Sequence, residues 1–131
     1  MKAIPFFTAT AVLLIGIAPL EAHHSFAAEF DSAKPVTLRG TVTKVDWTNP
    51  HVFLYVDVPD PSGKVTNWNF ELASPNVLKR NGWTKNTLKE GDKVTVIGTA
   101  AKDGASLGHA QTVVGPDGKR LFAGSNTADG N

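Results

Sequence analysis

The order of the alternating segments most restricts what this chain can fold into. Beyond residue 22, one clear helix signal is present: Ser74 can cap the N-terminus, Pro75 suits the first turn, and Gly82 follows the last turn. Segments that alternate as β-strands do lie before and after it. They are Val36–Val42, His51–Val58, Val65–Leu72, Lys93–Ala101, Gly108–Val114 and the short Lys119–Phe122.

Three strands, a short helix and then further strands is the order of an OB-type barrel. We therefore expect a mostly β fold, namely a small OB-like barrel of five to six strands with the helix between strands three and four. A β-sandwich of similar strands is the alternative. The alternation slips between Val42 and Val45, which predicts a bulge, and Thr48-Asn49-Pro50 predicts a turn.

The N-terminus has the features of a secretory signal peptide. Lys2 is followed by an apolar stretch over Ala3–Ala18, by Pro19, and by a short segment that ends in the small residue Ala22. The apolar run is short for a transmembrane helix. We expect residues 1–22 to be removed and the protein to be periplasmic or secreted, with no stable membrane insertion after cleavage. Cleavage at a nearby site such as Ala27, or an uncleaved anchor, is the alternative.

The remaining chain predicts one small domain. Residues 23–35 are expected to form an extended lead-in pinned by Phe26 and Phe30, residues 36–123 the β-barrel, and residues 124–131 a disordered tail. The chain has no cysteine, which excludes disulfides and thiolate metal sites. Its net charge is +1, with no basic block, so neither nucleic acid nor an anionic membrane surface is an expected partner.

Four histidines carry the best functional hypothesis. A transition-metal site without cysteine must use imidazoles, carboxylates or the terminal amine. If cleavage follows Ala22, His23 offers its α-amine and its ring to one ion, and a further imidazole would complete a nitrogen set that suits Cu(II). His51, placed after a rigid Asn-Pro turn, and His24 are the candidates. Asp46 and Glu71 are possible partners of these ligands, so the predicted function is non-catalytic copper binding.

Each of these histidines also has an ordinary structural interpretation. His23 and His24 fit a polar, unstructured start to the mature chain. His51 fits a hydrogen-bonded turn residue. His109 follows Gly108 at the start of a strand and is expected to face solvent, which makes it the weakest ligand candidate.

An alternative function is a binding or interaction module for an envelope component or a small ligand. Tyr55, Trp68 and Trp83 would then line a face of the barrel. Two of the three tryptophans of the chain, Trp47, Trp68 and Trp83, are nevertheless expected in the core. No catalytic residue is predicted, because no serine has the setting of a nucleophile elbow. A redox enzyme at the copper site is a third, weaker hypothesis.

Several segments together are similar to one known family. They are residues 23–31 (His-His-Ser-Phe-Ala-Ala-Glu-Phe-Asp), residues 36–51 (Val-Thr-Leu-Arg-Gly-Thr-Val to Trp-Thr-Asn-Pro-His), Trp68 with Glu71, Ser74-Pro75, Arg80 with Gly82-Trp83, and residues 91–104 from Gly91-Asp92 to Gly104. This pattern resembles a family of small exported bacterial proteins known as domain of unknown function 6152. The resemblance implies an exported single domain and no particular activity. His109 lies outside the motif, whereas the other three histidines fall within it.

Overall fold

The computed structural model describes residues 29–124, and six strands and one short helix lie in this range. In chain order they are β1 (Phe30–Asp46), β2 (Phe53–Pro59), β3 (Val65–Glu71), α1 (Pro75–Arg80), β4 (Lys93–Ala101), β5 (Leu107–Val114) and β6 (Arg120–Phe122). The predicted signal peptide, His23, His24, Phe26 and most of the predicted disordered tail lie outside the described residues. Within residues 29–124, no helix has the length and apolar character needed to cross a membrane.

Five of the strands close into a ring. β1 pairs with both β2 and β4, β2 pairs with β3, and β4 pairs with β5, all antiparallel. A short parallel pairing between β3 and β5 closes the ring, and β6 extends it as the antiparallel neighbour of β5. The prediction of a mostly β fold with a helix between the third and fourth strands is confirmed. Because the described strands form one sheet, the sandwich alternative is not the arrangement adopted.

The first strand is longer than its alternation indicates. It begins at Phe30, since the segment predicted as a lead-in pairs with β4 through Phe30↔Ala101 and Pro35↔Thr99. The register shifts between these two pairs. Residues 30–35 therefore do not alternate regularly, and the sequence pattern does not predict this part of the strand. The predicted bulge near Val42 is confirmed by a register shift between Val42 and Lys44.

The second strand begins later than predicted. It starts at Phe53, so His51 lies in the connection from β1 rather than in β2. The predicted turn at Asn49-Pro50 is a bend whose peptide bond is cis. His51 is therefore held by a loop at one end of the ring.

The short helix has the ends that its sequence predicts. Oγ of Ser74 accepts a hydrogen bond from the amide of Val77 at 3.4 Å, and Pro75 occupies the first position. Gly82 lies just beyond the C-terminus with a φ of 90°, a conformation that favours glycine. The helix buries Leu78 and thus packs against the ring.

The inward side chains of the strands fill the ring. Leu54 and Val56 of β2, Phe70 of β3, Val96 of β4 and Val113 of β5 are fully buried. Since side chains alternate along a strand, the residues between them point to the outer face. At the end of β3 this outer face carries the polar residue Glu71.

Candidate functional site

A cross-strand row of side chains runs over the outer face at one end of the ring. Phe53 of β2 is the register partner of Glu71 at the end of β3, and Glu71 is in turn the partner of His109 on β5. Directly paired residues project to the same side of a sheet. Glu71 and His109 are therefore outer-face neighbours, although they lie far apart in sequence.

The loop before β2 adds a second imidazole to this row. Nδ1 of His51 lies 3.0 Å from the carbonyl oxygen of Leu72 and 2.8 Å from Oε1 of Glu71. A carbonyl oxygen can only accept a hydrogen bond, so Nδ1 carries the proton and donates it. In the neutral ring the lone pair is then on Nε2. The His51 side chain is 35% exposed, which leaves the ring open to a ligand.

This contact has the form found behind many metal-ligating histidines. There, one ring nitrogen donates to a carboxylate or backbone carbonyl, and the other nitrogen binds the metal. His51 makes both of these contacts through Nδ1. Of the two carboxylates considered as partners of the ligands, Glu71 is the one that contacts His51.

Glu71 is in an electrostatically unusual position. Its side chain is only 18% exposed. Burial raises the pKa of this carboxyl above its usual value, the charge of His51 acts in the opposite direction, and the charge of Glu29 raises the pKa further. Glu29 is at the start of the described chain, where its carbonyl accepts a hydrogen bond from the amide of Lys102 at 3.1 Å.

His109 is buried, and the expectation that it faces solvent is wrong. The residue is 7% exposed, and the ring of Phe30 lies against it with 5.6 Å between centroids. Burial lowers the pKa of His109, and the nearby charge of His51 lowers it further. The outer face would be open at this point if β1 began at Val36. The early start of β1 brings Phe30 over the imidazole instead.

Asp46, the other predicted carboxylate partner, is engaged elsewhere. Its Oδ1 lies 3.0 Å from Nζ of Lys44, which in turn lies 5.4 Å from the centre of the Tyr55 ring. Asp46 therefore contacts Lys44 and not His51, whereas Glu71 contacts His51.

The three aromatic residues of the alternative hypothesis do not share a face. Tyr55 is on the outer side of β2, whereas Trp68 is on the inner side of β3, stacked with Phe70 at 5.7 Å. Trp83 is 3% exposed, and its Nε1 donates to the carbonyl of Phe122 at 2.9 Å. Trp83 is thus a core residue, and these side chains do not form one ligand surface.

Residues 29–124 alone do not form a complete metal site. In this range no group of three or more histidine or acidic side chains is arranged to hold an ion. What they provide is one oriented imidazole, His51, next to Glu71 and His109. An ion bound at Nε2 of His51 would need further ligands.

Comparison with known proteins identifies the family. Neither curated proteins nor solved structures gave a match to the chain. The model of a family of unknown function, DUF6152, matches residues 11–110. That range includes all four histidines, and so it also includes His109, which the resemblance in sequence left outside. The chain therefore belongs to the DUF6152 family, a family of unknown function.

Proposed function

We propose that the mature protein is a non-catalytic periplasmic metal-binding protein and that copper is its metal. The amine and ring of His23 and Nε2 of His51 are its ligands, and His24 is available to complete the set. One observation supports this proposal above the others. Nδ1 of His51 is held by the Leu72 carbonyl and the Glu71 carboxylate, so that Nε2 is the nitrogen left to bind an ion.

The length of the chain between the two proposed ligands is compatible with a shared ion. His23 precedes Glu29 by six residues, and six extended residues span at most about 20 Å. The next residue, Phe30, lies against His109, which is the register partner of Glu71, and Glu71 contacts His51. The described chain therefore starts a few side chains from His51.

The donor chemistry favours copper. An amine and imidazoles form a nitrogen set, and Cu(II) prefers such ligands in a tetragonal arrangement. The α-amine has an ordinary pKa near 8, so a metal ion displaces its proton readily around neutral pH. Cleavage after Ala22 is part of the proposal, because an amide bond to Ala22 would remove that amine as a ligand.

The alternative, an interaction module that uses aromatic residues, has weaker support. Tyr55 is on the outer side of the ring, Trp68 is on the inner side, and Trp83 is in the core. A partner could not contact the three side chains together without opening the ring.

A competition titration with a Cu(II) chelator tests the proposal. The mature chain beginning at His23 is compared with the same chain N-acetylated, which keeps every ring but blocks the amine, and with His51→Ala. We expect each change to weaken copper binding at least about tenfold, since each removes one ligand. Thr37→Ala, a change at an exposed position of β1, is the control and should bind as the wild type does.

The same titration can overturn the proposal. Micromolar or weaker binding that is unaffected by N-acetylation and by His51→Ala would overturn the proposal. Loss of partner capture on Tyr55→Ala or Trp68→Ala, with no metal in the purified protein, would favour the interaction module.

A further inference from the structure

We infer that a cleft at the end of the ring opposite His51 binds a small organic anion, whose carboxylate or phosphate group is held by Arg39 and Lys93. The cleft lies where the middle of β1, the last residue of β2, the start of β4 and the β5–β6 turn meet, and its volume is about 490 Å³. His51 precedes the first residue of β2, whereas Pro59, which lines the cleft, is the last. This site is therefore separate from the proposed copper site, and neither depends on the other.

The pairing of β1 with β4 brings the two cationic side chains together. Arg39 is the register partner of Thr95, and Thr41 is the partner of Lys93. Because Val94, between the two β4 residues, is buried, these four polar side chains project to the outer face. Arg39 and Lys93 are diagonal neighbours there, a relation in which long side chains about 7–8 Å apart still reach one another. Both cations can therefore contact one bound group.

The two cations are prepared for a ligand in different ways. Nζ of Lys93 donates a hydrogen bond to Oγ1 of Thr41 at 2.7 Å, which holds the ammonium over the sheet and leaves its other N–H groups for a ligand. The guanidinium of Arg39 has no ion-pair partner among residues 29–124. Its planar fork of donors matches the two oxygens of a carboxylate or a phosphate.

No carboxylate is among the described residues that line this cleft. Asp92, which directly precedes Lys93, accepts a hydrogen bond from the amide of Lys89 at 2.9 Å. Asp57, on the neighbouring strand β2, accepts one from Nδ2 of Asn67 at 2.8 Å, and within residues 29–124 it forms no ion pair with Lys93. The positive charge of the cleft is thus not neutralised by its own lining.

Apolar side chains form much of the remaining lining and indicate an organic ligand. Pro59 and Pro116 are exposed, and Val114 is half-buried. Asp117, in the same turn as Pro116, accepts a hydrogen bond from the amide of Lys119 at 2.9 Å, so its carboxylate is used within the turn. Sites for small organic molecules commonly have volumes of about 300–1,000 Å³, apolar walls and a few polar groups. A molecule with an apolar body and one anionic group fits this description.

Nuclear magnetic resonance of the metal-free mature chain, labelled with ¹⁵N, tests the inference. Phenyl phosphate and benzoate are the anionic probes, and benzyl alcohol is the neutral control with a similar apolar body. We expect saturable shifts of the backbone amides in residues 39–41, 93–95 and 114–115 with at least one of the anions, and none with benzyl alcohol. The anion that binds more tightly identifies the group as a phosphate or a carboxylate. Shifts with neither anion, or the same shifts with benzyl alcohol, would overturn the inference.

The same titration with inorganic phosphate and acetate tests the organic part of the inference. These ions carry the anionic groups of the two probes without the aromatic ring. We expect each to bind more weakly than its matched probe, because it makes no contact with the apolar walls. Equal affinities would overturn the assignment of an organic ligand.

Two substitutions test whether the cations of this cleft hold the anion. Arg39→Gln and Lys93→Gln should each weaken binding of the tighter probe about tenfold, since each removes a charged donor. Both residues are exposed, so the fold should be retained. Arg80→Gln and Lys79→Gln, at exposed positions of α1, remove the same charges away from the cleft and are the matched controls. Affinities in the cleft variants equal to those of their controls would overturn the inference.

Discussion

Oε1 of Glu71 lies 2.8 Å from Nδ1 of His51, so the last residue of β3 is tied to the loop that precedes β2. The Leu72 carbonyl accepts from the same nitrogen at 3.0 Å. Together these contacts determine which nitrogen of His51 is protonated and hold the ring in one orientation. A metal ligand that is oriented in advance binds more tightly than a mobile one.

Glu71→Gln should weaken copper binding with little effect on folding. The amide oxygen can still accept from Nδ1, but the negative charge that makes the imidazole a better donor is lost. Changes of this kind typically reduce metal affinity about 10–100-fold. A copper titration measures the effect, and Glu90→Gln, an exposed glutamate in the loop before β4, is the matched control. Equal affinity in Glu71→Gln and the control would contradict this role.

The metal-free protein should lose stability as the pH falls below about 6.5, and His109 should account for part of the loss. Burial lowers the pKa of His109 in the folded state below its ordinary 6.5. In the window below 6.5, the unfolded chain binds a proton that the folded chain resists, so the free energy of unfolding decreases. Above 6.5 both states are neutral, and the contribution of His109 to this pH dependence vanishes.

Urea unfolding of wild type and His109→Gln between pH 7.5 and 5 measures this contribution. Glu71 has the opposite sign, since its pKa is raised above 4.5 in the folded state and its protonation stabilises the fold as the pH falls. The difference between the two proteins removes the effect of Glu71 to first approximation. The wild type should lose more stability than the variant over this range, and parallel pH profiles would show that the burial of His109 has no such effect.

Gly98→Ala should destabilise the ring strongly. A β-carbon at this position of β4 would lie 1.8 Å from the backbone oxygen of His109, so the two strands would have to separate. Overpacking of this kind costs about 1–3 kcal/mol or more. Gly124→Ala is the control, because its β-carbon would meet Cε1 of His109 at an ordinary 3.4 Å. Thermal unfolding compares the two, and equal midpoints would contradict the close approach at Gly98.

Trp83→Phe should destabilise the fold by about 1–3 kcal/mol, the cost of leaving the part-buried Phe122 carbonyl without its hydrogen bond. The indole nitrogen donates to the Phe122 carbonyl and so ties the segment after the helix to β6. Trp68→Phe, at a half-buried residue stacked on Phe70, should cost less. Urea unfolding measures both, and an equal or larger loss for Trp68→Phe would argue against this role of the indole hydrogen bond.

Local sequence signals predict most of this fold. Period-two alternation identifies the strands, with β4 predicted at its observed limits of Lys93 and Ala101, and the capping residues Ser74 and Pro75 identify the helix. The slip in alternation after Val42 predicts the bulge. These features depend on neighbouring residues, which is why one sequence suffices to find them.

The surroundings of His109 could not be predicted in this way. Its burial depends on Phe30, which belongs to a segment with irregular alternation, and on a β3–β5 pairing between residues far apart in the chain. The same pairing makes Glu71 its neighbour. For His51, the Asn-Pro turn predicted a restricted position, but the contacts with Leu72 and Glu71 follow only from the closure of the ring.

Electron paramagnetic resonance of the mature chain with one equivalent of Cu(II) is the decisive test of the proposed copper site. We expect a single tetragonal copper species with nitrogen hyperfine structure, which changes to a different species in His51→Ala and in the N-acetylated chain. A spectrum of free or weakly bound Cu(II), or one that is the same in all three proteins, would contradict it.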